Sequence, residues 1–161
     1  MSGSGQRSSR AVSYRRILWP TDFSPLAKTA LPYAVDLAGD AGAELVLLHV
    51  LTPPMAYAGP EIPGVLWGEL QQKNRVVARE ELRRLAAGVK GPKVRVHTVL
   101  AEGVPFDQIL RVVKRLRCDL IVIATHGRTG LAHMVVGSVA ENVVRRAACP
   151  VLTVRPPRIK P

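Results

Sequence analysis

The chain is short of aromatic residues: Phe, Trp and Tyr make up 4% of its 161 residues. That argues against a single-strand nucleic-acid binder, which stacks successive bases on aromatic rings. Two Cys are too few for a disulfide scaffold and suit a reducing, cytoplasmic setting. No run approaches the ~18 apolar residues of a membrane helix. No basic, then apolar, then small-residue leader precedes the first apolar segment, so no membrane partner is expected. No G-x4-G-K-S/T occurs, which excludes a P-loop. His49, His97, His126 and His133 follow no metal-ligand spacing, and no Ser-His-Asp arrangement emerges, so no metal site and no catalytic residue is assigned.

Hydrophobic residues make up 47% of the sequence, too many for a disordered chain. The length suits one domain, at roughly 100–200 residues per domain. The net charge of +11 points at first to nucleic acid. Its distribution says otherwise. Arg7 and Arg10 lie in a Ser/Gly-rich leader, 1–14, read as disordered, and Arg158 and Lys160 lie in a flexible tail, 156–161. Without these four, 19 basic residues face 12 acidic ones. Much of that remainder sits at helical spacing beside acids, as in Arg79, Glu80, Glu81, Arg83 and Arg84, the pattern of a solvated helix face. Arg111, Lys114, Arg115 and Arg117 cluster late in a helix, where cations complement its dipole. A nucleic-acid partner is therefore not expected. The positive field favours a smaller polyanion.

Between leader and tail, in 15–155, apolar runs alternate with amphipathic segments. Strands are expected at 16–20, 44–51, 93–100, 119–124 and 150–155. Helices are expected from Ser24-Pro25 through Ala38, ended by Gly39 and Gly42, and over 69–87, 104–117 and 137–148. The third of these helices would bury Ile109, Leu110, Val113 and Leu116. The interruption 52–68, rich in Pro and Gly, reads as a functional lid or mobile loop. Strands apolar on both faces, alternating with helices, imply a parallel sheet covered on both sides, a three-layer α/β/α domain. Ligands of such sheets bind beyond the carboxyl ends of the strands, where the strand order reverses. The residues to inspect are thus Thr21-Asp22, Val50-Leu51 and the stretch from Ala124.

That stretch, ATHGRTGLAHMVVGSVAEN, contains Ala124-x2-Gly127-x9-Gly137-Ser138. Small residues after a strand let backbone amides approach a phosphate, and Gly137-Ser138 would offer amides and a hydroxyl at a helix start. A tight turn with an ordinary cap, Ser138 pairing with Glu141, has the same composition. Arg128, the fixed cation of the loop, suits a phosphate contact or solvent equally well. His49 reads as a satisfied core histidine. Cys118 and Cys149 each precede a strand, and adjacent strands ~4.8 Å apart would bring the thiols near each other; two reduced cysteines or a redox pair both fit.

The segments ILWPTDFSPLAKTAL, VLLHV and ATHGRTGL…GSVAENVVRRAACPVLTVR resemble the universal stress proteins, whose nucleotide-binding members carry G-x2-G-x9-G-S/T. The resemblance implies an adenine nucleotide alpha hydrolase-like, Rossmann-like fold with strand order 3-2-1-4-5, and ATP as ligand, accompanied or not by Mg2+. It implies that Asp22 faces the adenosine end, that Val50 packs near adenine, and that Gly127, Gly137 and Ser138 cradle phosphate with Val139 continuing the helix start. Pro20, Thr21, Ile123, His126 and Arg128 complete the expected binding set. Ala124 stands where the family has its first glycine, which would be strained if that position needs φ > 0 and harmless if it needs only a small residue. A homodimer through the fifth, edge strand is implied as well. The expected role is a nucleotide-responsive regulator or protective factor in stress. The alternatives are an interaction module with a vestigial pocket, or at most a slow ATP hydrolase.

Overall fold

A computed structural model describes residues 13–52, 64–90, 94–125 and 139–155, with side chains from residue 68 onward in the second segment. The elements run β1 (Arg16–Thr21), α1 (Pro25–Lys28), α2 (Leu31–Ala41), β2 (Glu44–Leu51), α3 (Gly64–Gly88), β3 (Arg95–Glu102), α4 (Pro105–Leu116), β4 (Leu120–Ala124), α5 (Val139–Arg146) and β5 (Val151–Val154). All four pairings are parallel, in the order β3-β2-β1-β4-β5. This is the α/β arrangement expected from the alternating pattern, with β1 and β4 side by side where the order reverses.

Two apolar clusters sandwich the sheet. On one face Ile17, Trp19, Leu45, Leu47, Leu120 and Val122 pack with Ala34 and Ala38 of α2 and Leu82 of α3. On the other, Leu18, Val46, Leu48, Ile121 and Ile123 pack with Ile109, Val112 and Val113 of α4 and Val143 of α5. The strict alternation along β1, β2 and β4 is why the central positions of these strands are apolar on both faces: each of those side chains has a helix layer to enter.

The helix expected from Ser24 to Ala38 is broken in two. Ser24 caps α1, its Oγ accepting from Ala27 N at 3.0 Å, with Pro25 in the first position. The break is caused by Pro32, which cannot donate to the Lys28 carbonyl and whose ring would strike it. The chain restarts with Pro32 in the first turn of α2, where a proline is harmless. Gly39 lies inside α2; Gly42, left-handed at φ 64°, ends it. β3 begins two residues later than expected and continues to Glu102, because it stays in register with β2 through Leu51↔Glu102. Gly103 then turns at φ 129° while its N–H reaches the Leu51 carbonyl at 2.9 Å. In α4 the buried stripe is Ile109, Val112 and Val113, with Leu110 and Leu116 half-buried. α3 starts at Gly64, inside the interruption expected to be loop; 53–63 lie outside the described residues.

Candidate functional site

The carboxyl end of β1 runs straight into a tight, self-bonded loop. Thr21 is buried, and its Oγ1 accepts from Phe23 N at 3.0 Å. Asp22 Oδ1 accepts from Ser24 N at 2.9 Å, an Asx turn. The Ser24 hydroxyl meanwhile caps α1. Between these two turns Phe23 is forced to φ 66°, a left-handed conformation that is unusual for an aromatic residue. Trp19, fully buried beneath, donates its indole N–H to the Ala27 carbonyl at 3.3 Å and so pins α1 to the sheet.

His49 stands beside this loop on β2, in register with Thr21. Its Nδ1 lies 2.8 Å from the Thr21 carbonyl. A carbonyl only accepts, so Nδ1 carries the proton and Nε2 is the bare, accepting nitrogen. The Phe23 ring stacks on the imidazole, centroids 4.1 Å apart and 25° from parallel. Burial pushes the His49 pKa below its usual value, against the pull of the Thr21 carbonyl and the Asp22 charge. The ring is therefore neutral at pH 7. Partial burial pushes Asp22 upward, but the Ser24 hydroxyl and N–H, with help from His49, outweigh it and hold the carboxyl below the usual range. Asp22 is ionised. His49 is hydrogen-bonded as expected, but it is half-buried and belongs to neither apolar cluster, so it is not a core residue; that it would be stacked by Phe23 had no signal in the sequence.

The other expected residues divide in two. Pro20, Thr21, Asp22, Val50, Ile123 and Ala124 lie at the carboxyl ends of the three adjacent strands β2, β1 and β4. Pro20 and Ile123 are buried, and Val50 is half-buried. Ala124 ends β4 and does not have a positive φ; among the described residues those that do, apart from glycine, are Phe23 and Arg117. An alanine methyl is unstrained there. Val139 is described as the first residue of α5, 37% exposed. His126, Gly127, Arg128, Gly137 and Ser138, with the capping partner of Glu141, lie outside the described residues.

The remaining candidates carry less. Among the described residues no group of three His, Cys, Asp or Glu could hold a metal, and no helix is long and apolar enough to cross a membrane. Cys118 and Cys149 are both free thiols in one apolar cluster, at the start of adjacent strands. Burial pushes Cys118 up to about 12 and Cys149 upward as well. Both stay protonated at neutral pH, whereas disulfide exchange needs a thiolate. The basic run of α4 ends in the left-handed cap Arg117 with Lys114 and Arg115 in the last turn, and Arg111 pairs with Asp107 at 3.0 Å. That is the helix-dipole arrangement expected.

Comparison with known proteins agrees with the fold. The chain is 32% identical over 145 residues to Universal stress protein MJ0531 of Methanocaldococcus jannaschii, spanning 90% of this chain and 84% of that protein. The solved structure of MJ0577, from the same organism, superposes with a TM-score of 0.75 at 28% identity, over 91% of this chain and 99% of that one. A universal stress protein crystallised in complex with cAMP shares the fold at 24% identity and a TM-score of 0.58, over 89% of this chain and 98% of that one. Residues 13–155 match the sequence model of the Universal stress protein family, and the chain belongs to that family.

Proposed function

We propose that the protein binds an adenine nucleotide, ATP, at the carboxyl ends of β1, β2 and β4, and acts as a nucleotide-responsive regulator or protective factor in stress. The observation that carries this reading is the ionised, pre-positioned Asp22 at the strand-order reversal, next to the half-buried Val50. A carboxylate held by its own turn can accept both hydroxyls of a ribose without rearranging. The adjacent apolar Val50 suits a purine face. Solvated oxyanions are repelled by that carboxylate, so the phosphates must point away, toward β4 and the 126–138 segment, where Gly127, Gly137, Ser138 and Arg128 belong to the proposed cradle. Ala124 needs no glycine, which removes the main argument for a vestigial pocket. The cAMP complex of a family member shows that the fold admits an adenine nucleotide in that protein.

Asp22 is a hard oxygen donor, but among the described residues no three-ligand group accompanies it. A Mg2+ entering with ATP would be held mainly by phosphate and water, as this ion commonly is. A neutral His49 and an ionised Asp22 already bonded by Ser24 do not make a base aimed at a water, so fast hydrolysis is not proposed. Pairing of β5 with the same strand of a second copy is part of the proposal: β5 is a four-residue edge strand whose Leu152 is 37% exposed, and edges of this kind are normally covered. The free thiols suit a cytoplasmic location.

The test is direct. Mass spectrometry of small molecules released from the purified, denatured protein should recover adenine nucleotide, and titration calorimetry should show ATP binding that Gly137→Trp abolishes while the circular dichroism is unchanged. Unaltered affinity in that variant would remove the proposed phosphate site. A monomer mass by light scattering would remove the dimer.

A further inference from the structure

The opposite edge of the sheet has features the nucleotide reading does not use. β3 pairs with β2 alone. Gly103 N–H bonds the Leu51 carbonyl, and Val50 is the register partner of Ala101. In a parallel ladder alternate residues direct both backbone groups to the same neighbour. The main-chain groups of Val99 and Ala101 thus face β2, and those of Val96, Thr98 and Leu100 face outward. Among the described residues no strand pairs with them.

The same outward-facing residues line a cleft. Thr98 and Leu100 of β3 and Arg79, Leu82 and Arg83 of α3 enclose about 190 Å3 beside the open edge. Leu82 is buried and forms the apolar floor. Arg79 and Arg83 stand one helical turn apart above it, both exposed. Arg83 is only loosely engaged, 3.8 Å from Glu80. Glu102, at the end of β3, is taken by a bidentate pair with Arg75 at 2.6 and 2.8 Å. Arg95, exposed at the start of β3, adds to the positive charge of this edge.

We propose that the β3 edge is a docking site for an extended acidic segment of a partner protein, which adds as a sixth strand. Its backbone would pair with Val96, Thr98 and Leu100, and one of its carboxylates would enter between Arg79 and Arg83. Strand addition takes its affinity from main-chain bonds and its selectivity from side-chain sites at alternate positions, and both are present here. A second copy of the chain is the less suitable occupant: two β3 edges related by a two-fold axis would bring like-charged arginine pairs together. Isolated arginines on an edge can also serve to repel other strands; the cleft and the ordered sequestering of Glu102 favour a receptor over a guard.

The probe is the acetylated, amidated peptide Thr-Val-Glu-Val-Glu-Val-Thr, with its Glu-to-Lys counterpart as control, added to 15N-labelled full-length protein. The acidic peptide should shift the amides of Val96, Thr98 and Leu100 and slow their hydrogen exchange, and the Lys peptide should not. Arg79→Glu with Arg83→Glu should weaken binding at least tenfold. Thr98→Pro deletes an outward N–H without touching the β2 pairing, so it should keep the thermal melt and lose the peptide. Should Thr98→Pro unfold the protein, Thr98→Lys, which keeps the N–H and adds charge, should bind the acidic peptide more tightly. Equal shifts with both peptides, shifts confined to β5, or none at millimolar peptide would each overturn the proposal.

Discussion

The amino end of β1 and the loop after its carboxyl end treat charge in opposite ways. At the amino end Arg16 and Asp119 reach across to other strands and a helix. Arg16 is bound by Glu44 of β2 at 2.5 Å and by the Leu116 carbonyl at the end of α4. Asp119, leading into β4, accepts the N–H of Arg15 at 2.8 Å and of Arg16 at 3.1 Å. Three strands and a helix are thereby clamped. At the carboxyl end the bonds of Asp22 come from its own turn, and Phe23 is held at φ 66° between two such turns. Local bonding leaves a site pre-formed but not committed to the rest of the fold, and strained backbone gathers in such places. The contrast assigns stability to one end and binding to the other, and it can be broken by experiment.

The largest effect is expected at the clamp. Asp119→Ala removes the acceptor of two N–H groups, and bonds to a charged group are worth ~1.5–3 kcal/mol each when buried. Asp119 is partly solvated, so water recovers some of this and a loss of about 2 kcal/mol is expected by urea denaturation, with ATP affinity unchanged. A loss under ~0.5 kcal/mol, the ordinary surface range, would dissolve the contrast. At the other end Asp22→Ala should do the reverse. ATP affinity is expected to fall about tenfold, equivalent to ~1.4 kcal/mol, as read by calorimetry, while the denaturation midpoint moves little. If both variants lose the same stability, the two ends do not differ.

Phe23→Gly is a finer test. Glycine relieves the left-handed strain, worth roughly 1–3 kcal/mol, but loses the ring stacked on His49, worth roughly 0.5–1.5 kcal/mol beyond its burial. Losing the ring's partial burial against the core costs roughly a further 1–2 kcal/mol, so a small net loss of about 1 kcal/mol is expected, while the loop loses its fixed shape. Expected signatures are faster hydrogen exchange at Ser24 and weaker ATP binding. A stability gain with unchanged binding would make Phe23 a mere defect of the turn.

This residue marks where the sequence stops being readable. The parallel sheet was legible because the middle of β2, Leu45–Leu48, and all of β4 are apolar on both faces, which only a sheet covered on both faces requires. The cap at Ser24 was legible because Ser-Pro has one common use at a helix start. Pro32 was equally visible, yet the apolar spacing of Ala30, Leu31, Ala34 and Val35 runs through it unbroken, and periodicity hid the break. The start of β3 was misplaced because Val94 and Val96 alternate as a strand would, whereas pairing with β2, a tertiary matter, sets the true limits. In the site, Asp22 and Val50 could be placed from topology and resemblance. Phe23 could not: nothing in an aromatic residue between Asp and Ser signals φ > 0, and the constraint comes from two side-chain turns that close only in the folded chain.

The smallest effect concerns pH, and it separates two groups of the carboxyl end by range. His49 has a folded pKa below its ordinary 6.5 because burial disfavours the cation. As pH falls through 6.5 the unfolded chain takes up the proton first, so stability is full above that value and declines below it, down to the folded pKa. Asp22, depressed below 3.8, contributes stability above 3.8 that is lost only as pH falls further, through its folded pKa. The two groups act in separate ranges. His49→Asn removes the titrating ring and keeps an amide N–H for the Thr21 carbonyl. The difference in urea midpoint between about pH 7.5 and about pH 5.5 should therefore shrink in this variant, and it should persist in Asp119→Ala, which leaves His49 untouched. An unchanged difference in His49→Asn would mean that the mild-acid response of the protein originates away from the carboxyl end.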